Sequence, residues 1–146
     1  MLMISPSFRS ATRDDLPEVV RLLADDHLGS LREQFEDPLP DDYTQAFDEI
    51  ELDSNNDIIV AEVDGSIVGV LQVTFIPGLQ FRGSRRAQIE GVRVERIHRG
   101  GGIGSALITY AIACARERGC RLIQLTTNKK RTRTVSFYER LGFEPS

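Results

Sequence analysis

With 146 residues, the chain has the length of one domain built on a single core. A hydrophobic share of 40% with a charged share of 27% excludes the disordered class, and no apolar run approaches the roughly 18 residues that a membrane span needs. The net charge of −4 argues against a general nucleic-acid binder, and residues 1–10 lack the basic start and apolar stretch of a secretion signal. The sequence therefore reads as a single domain over residues 1–146, cytoplasmic, with neither nucleic acid nor membrane as a partner.

Residues 8–12 read as a short extended lead-in. Thr12 or Asp14 then caps a helix, because a short side-chain oxygen satisfies free N–H groups of the first turn. Leu16, Val19, Val20, Leu22 and Leu23 recur at helical spacing, and Pro17 fits only in the first turn. Residues 28–40, with acidic side chains, Gly29 and two prolines, read as a loop with room for one helical turn. A second helix is predicted over 42–52, with Tyr43, Ala46, Phe47 and Ile50 on one side.

Residues 57–63 are strand-like, Asp64-Gly65 is a hairpin signal, and residues 66–75 are again rich in branched and aromatic side chains. Two antiparallel strands are predicted there. Pro77-Gly78 breaks the second, and a polar, arginine-rich connection runs to Arg86. Residues 87–94 form the next strand, in which Glu90, Val92 and Val94 share parity unless a bulge intervenes. After a glycine-rich turn at 99–104 an alanine-rich helix covers 105–118, which Gly119 ends in a left-handed conformation. A strand follows over 120–127. Residues 132–140 read as a last helix, with Val135, Phe137, Tyr138 and Leu141 around its core side and Gly142 closing it.

Strand, glycine turn and helix start in that order make an anion site: glycines let the backbone approach closely, while several N–H groups and the helix dipole point at the ligand. Such a site suits a pyrophosphate. The spacing excludes two competing motifs. Gly104 is followed by Ser105 and Ala106 rather than the lysine of a nucleoside-triphosphate loop, and the next strand has no acidic residue to hold a dinucleotide ribose. Cys114 and Cys120 have no second pair to complete a metal site and read as reduced, structural thiols. Charge is divided along the chain, acidic over 25–57 and predominantly basic over 82–140, so an anionic ligand favours the second half and a cationic one the first. Solvated faces account for such runs equally well.

Arg99-x-x-Gly102-x-Gly104 resembles the acetyl-CoA signature of the GNAT acetyltransferase superfamily. Val92-Arg93-Val94 is similar to its pantetheine-binding strand, and the stretch from Ser136 through Phe137-Tyr138 to Gly142-Phe143 to its closing aromatic element. The resemblance implies an α/β (α+β) fold, a mixed twisted sheet of about six strands flanked by about four helices, and an N-acetyltransferase with acetyl-CoA as cosubstrate and no metal. It implies that the backbone of Val92 and Val94, with Arg93 between them, pairs with pantetheine amides. Arg99, Gly100, Gly101, Gly102, Ile103, Gly104 and Ser105 would hold the pyrophosphate, and Asn128 would contact the cofactor arm. Lys129, Lys130, Arg131 and Arg133 are candidates for the 3'-phosphate, or else a solvated basic loop.

For catalysis the resemblance implies that Tyr138 gives the departing thiolate its proton while a backbone N–H of Val94 or a neighbour polarises the thioester carbonyl. Glu90 is the candidate general base, with an edge salt bridge to Arg86 or Arg93 as the alternative. His98 is expected to be exposed, and His27 is a candidate for lining the acceptor site. The acceptor, an unidentified primary amine of a small molecule or peptide, would be held by residues 25–42 and 77–86. In the second of these, Arg82, Arg85 and Arg86 suit a carboxylate on an amino-acid-like molecule. The family usually continues further beyond Phe143, so an exposed sheet edge or a homodimer is expected. A non-catalytic acyl-CoA-binding sensor of the same fold is the competing functional class.

Overall fold

The computed structural model describes residues 5–126. Five strands form one sheet in the order β1 (Ser7–Ser10), β2 (Asn56–Val63), β3 (Ser66–Ile76), β4 (Arg85–Val94) and β5 (Cys120–Leu125). The first four pair antiparallel and β4 pairs with β5 in parallel, so the sheet is mixed as expected, with five of the anticipated six strands among the described residues. The parallel pair requires a crossover, and α5 (Ile103–Glu117) supplies it. Helices α1 (Leu16–Ala24), α2 (His27–Arg32) and α3 (Asp41–Leu52) lie between β1 and β2, and a short α4 (Gln80–Gly83) sits in the β3–β4 connection. The anticipated last helix and the expected extra sheet edge lie outside the described residues.

The apolar stripe read from the sequence makes the core. In α1, Leu16, Val19, Val20 and Leu22 are buried, and Pro17 stands in the first turn. Thr12 rather than Asp14 precedes the helical region, beginning a 3-10 turn over Arg13–Asp15 that leads into α1. In α3, Phe47 is buried with Tyr43 and Ile50 partly so, whereas Ala46 is exposed. On the other face of the sheet Ile103, Leu107, Ile108, Ala111 and Ala115 of α5 pack on Leu71, Val73, Ala87 and Ile89. Residues 67–71 of β3 are all buried because helices cover both faces of this central strand. Phe8 stacks on Tyr110 at 4.9 Å between ring centres, which ties β1 to α5.

A short helix, α2, stands at the start of the segment read as a loop with room for one helical turn, and the β3–β4 connection carries the short α4. Asp26 caps α2 by accepting from the Gly29 N–H, and a methyl group at Gly29 would lie 2.0 Å from the Leu23 carbonyl oxygen. Only glycine lets α2 turn so closely on the end of α1. In α4, Phe81 and Arg82 both have positive φ, 54° and 62°, so the segment is a left-handed turn rather than a regular helix.

Candidate active site

The site is built where β4 leaves β5. Their pairing runs from Arg85 with Cys120 to Ile89 with Leu125, and Thr126 N–H donates to the Ile89 carbonyl at 3.0 Å. Beyond Ile89, no described residue pairs with β4 on that side. The expected ambiguity of parity is resolved by a bulge: Glu90 pairs with Gln72 and Arg93 with Val70, so Gly91 and Val92 together oppose Leu71. Gly91 adopts φ 65°, the left-handed conformation that such a bulge demands. Val92 and Val94 consequently join Ala87 and Ile89 on the α5 face, while Glu90 belongs to the opposite one. The carboxylate is not aligned with the two valines.

The same bulge fixes the free edge. Glu95 N–H donates to Val68 on β3 at 2.7 Å, so by alternation the peptide groups of Val92 and Val94 point away from β3. Their carbonyls accept from side chains instead, Val92 from Arg93 Nη1 at 2.9 Å and Val94 from Arg99 Nε at 3.1 Å. A strand edge unpaired in this way, as this one is among the described residues, can take an extended amide-bearing ligand by strand addition.

That edge leads through a 3-10 turn (Arg96–His98) into the glycine turn. Gly100 and Gly102 have φ of 83° and 87°, and no atom of the described residues lies within 4 Å of where a side chain would begin at either exposed glycine. Gly102 starts α5 without any side-chain cap, so the N–H groups of Ile103, Gly104 and Ser105 head an uncapped fifteen-residue helix. Ile103 is anchored in the core. The N-terminus therefore starts from a buried residue and presents the positive end of the helix, an arrangement suited to a phosphate group.

Glu90 shares its face of β4 with Gln88 and Arg86. It makes no ion pair among the described residues, so the alternative reading, a salt bridge with Arg86 or Arg93, does not form there. Near the bulge, a methyl group at Gly91 would sit 3.6 Å from Leu23 of α1. Further along the same face lies a cleft of about 480 Å3, lined by Gly78, Leu79, Phe81, Ser84, Arg86 and, from β5, Leu122 and Gln124. Among the three arginines expected to serve an acceptor, only Arg86 lines it: Arg82 is exposed on the left-handed turn, and Arg85 lies beside Cys120, with the opposite parity on β4. A larger cleft of about 770 Å3, between the end of β1 and α3, is lined by none of these residues.

His98 departs from expectation. Its side chain is 20% exposed, and Nε2 lies 3.8 Å from Glu95 Oε2, so it is tucked against the turn rather than free in solvent. His27 is exposed at the start of α2. Cys114 and Cys120 are free, and burial raises both thiol pKa values above the ordinary range. No group of metal-ligating side chains occurs among the described residues, and no described helix is long and apolar enough to cross a membrane. Tyr138, Asn128 and the basic residues from Lys129 to Arg133 lie outside the described residues.

Comparison with known proteins agrees with this geometry. The model of the Acetyltransferase (GNAT) family matches residues 20–143, and the chain belongs to that family. An uncharacterized N-acetyltransferase of Methanocaldococcus jannaschii is 38% identical over 87 residues, which make up 58% of this chain and 38% of that protein. Glucosamine 6-phosphate N-acetyltransferase of Trypanosoma brucei brucei is 35% identical over 79 residues, 54% of this chain and 52% of the relative. The chain thus spans only about half, or less, of these curated relatives. A solved structure described as a transcriptional regulator from Bacillus halodurans C-125 is 54% identical, covers 97% of this chain and 95% of its own, and superposes with a TM-score of 0.94.

Proposed function

We propose that this chain is an acetyl-CoA-dependent N-acetyltransferase that moves the acetyl group directly to a primary amine within a ternary complex. The observation that carries this reading is the peptide edge of Val92 and Val94, without a strand partner among the described residues, followed by an uncapped helix N-terminus. The two features fit the two halves of the cosubstrate. Its pantetheine amides would add to the edge as a short strand, and its pyrophosphate would lie against the N–H groups from Gly100 to Ser105. Arg93 and Arg99 would release the carbonyls they now cap, freeing Arg99 for a phosphate. Outside the described residues, Asn128 is assigned the cofactor arm on the family resemblance.

In the transfer, the neutral amine attacks the thioester carbonyl; a nitrogen–carbon bond forms as the carbon–sulfur bond breaks. An edge N–H stabilises the negative charge developing on the carbonyl oxygen. Glu90, on the open face beside the bulge, takes the amine proton directly or through a water, and Tyr138 donates one to the departing thiolate. Neither step needs a metal.

A second reading is favoured by one comparison: the 54% identical Bacillus halodurans protein is described as a transcriptional regulator. On that reading the same cradle senses acyl-CoA without turnover. Calorimetric titration with acetyl-CoA, followed by thiol release across amines, amino acids and peptides, separates the two. Binding with turnover that falls about tenfold or more in Tyr138→Phe supports the enzyme; binding without turnover across the panel supports the sensor.

A further inference from the structure

On the Glu90 face, β4 presents Arg86, Gln88 and Glu90 at alternate positions, a cation at one end and a carboxylate at the other. Three residues lie between them, and four steps of strand rise separate their backbone positions by roughly 13 Å. Arg86 is partly buried in the wall of the 480 Å3 cleft, against Gly78, where a methyl group would lie 3.7 Å from its Nη1. It has no ion pair or side-chain hydrogen bond among the described residues. A guanidinium drawn into a cleft without a carboxylate is a binding group in want of an anion.

The rest of the cleft mixes polar Gln80, Ser84 and Gln124 with apolar Leu79, Phe81 and Leu122. Leu79 is 95% exposed, Phe81 71% and Leu122 41%, three large apolar side chains on one side of the sheet. The turn that carries Phe81 holds two successive non-glycine residues at positive φ, a strained backbone kept in place by Ser84, whose hydroxyl donates to the Phe81 carbonyl and whose N–H donates to Gln80. Strain retained where it presents an aromatic ring to a cleft is characteristic of a ligand clamp.

We infer that the acceptor is an amine with an apolar middle and a remote anionic group, its anion bound by Arg86 and its amine delivered to Glu90. This rests on the acetyltransferase reading above and narrows the substrate class. An α-amino acid acetylated on its α-nitrogen is too short, because its carboxylate lies two bonds from the amine. A terminal amine several carbons from a carboxylate or phosphate spans the distance.

The test compares glycine, 4-aminobutyrate, 6-aminohexanoate and 8-aminooctanoate with hexylamine and 1,6-diaminohexane, in the wild type, Arg86→Gln and Arg86→Glu. Turnover and calorimetric binding in the presence of CoA are both read. The expected result is that efficiency rises with chain length. The KM for 6-aminohexanoate relative to hexylamine should increase tenfold or more in Arg86→Gln, and Arg86→Glu should transfer the preference to 1,6-diaminohexane. If 6-aminohexanoate binds the wild type but not Arg86→Gln while no amine is acetylated, the anion site stands and the acetyltransferase reading falls. Acetylation of hexylamine and 6-aminohexanoate with equal KM, unaltered in Arg86→Gln, overturns the anion site and leaves the acetyltransferase reading intact. Absence of both binding and turnover for every amino acid overturns the inference.

Discussion

Arg9 holds three elements together. Its guanidinium makes a two-pronged bond to Asp15, 2.6 and 3.0 Å, and its Nε donates to Glu62 on β2 at 2.6 Å. Asp15 also accepts from the N–H and hydroxyl of Thr12. Chiefly through Arg9, and against the opposing effect of burial, its carboxyl is held at about 2, below the ordinary 3.8. A carboxyl with a lowered folded pKa adds stability above its unfolded value, and that stability is lost as pH falls through about 2. Arg9→Ala should therefore cost about 1 kcal/mol at pH 7, a modest figure because the Arg9 side chain is 39% exposed to screening solvent. The difference between wild type and variant in thermal unfolding should shrink progressively between pH 5 and pH 2. The cysteines give a second expectation at this scale: burial raises both thiols, so neither should react quickly with a disulfide reagent at pH 8 in the folded protein. Rapid labelling of either would contradict their placement in the fold.

Among the elements, β4 has the largest effect on the site. Gly91 has no clash that forbids a side chain, since a methyl group would meet Leu23 at an ordinary 3.6 Å; its φ of 65° is what a side chain cannot easily share. Gly91→Ala should cost about 1–2 kcal/mol by that effect alone. It should also weaken acetyl-CoA binding measured by calorimetry, because an unbulged strand would turn Val92 and Val94 to the other face. By contrast Leu107→Ala, in the fully buried stripe of α5, should cost about 2–5 kcal/mol in denaturant unfolding and leave the edge in place. The sequence carried both parts of β4 unevenly. Its strand character and glycine turn were legible, whereas the bulge entered only as a condition on the parity of Glu90, because a bulge is set by pairing with Val70 and Gln72 on another strand. Helix α2 was legible only as room for one helical turn, for a similar reason: six residues are too few for a period, and Gly29 is there for its approach to Leu23, a tertiary contact. Arg82, Arg85 and Arg86 are indistinguishable by type, and only strand parity and the left-handed turn place Arg86 alone in the cleft.

At the scale of the molecule, the parallel β4–β5 pairing among the described residues ends at Ile89, and the remainder of β4 leads through the glycine turn to a helix N-terminus that begins at a buried Ile103. The order of elements was readable because the glycine turn, the hairpin at Asp64-Gly65 and the alanine-rich helix are local signals. The register that leaves Val92 and Val94 beyond the described β5 is a property of two strands distant in sequence. The function of this edge depends on peptide groups, and Val94→Pro isolates them: proline removes an N–H that points away from β3 and is tolerated at such an edge. The most direct measurement is calorimetric titration of acetyl-CoA into wild type and Val94→Pro, with thermal unfolding of both as control. Binding by the wild type that weakens tenfold or more in Val94→Pro, with unfolding little changed, is the expected result. No binding by the wild type, or equal binding by the two, would contradict an acetyl-CoA site on the Val92–Val94 edge.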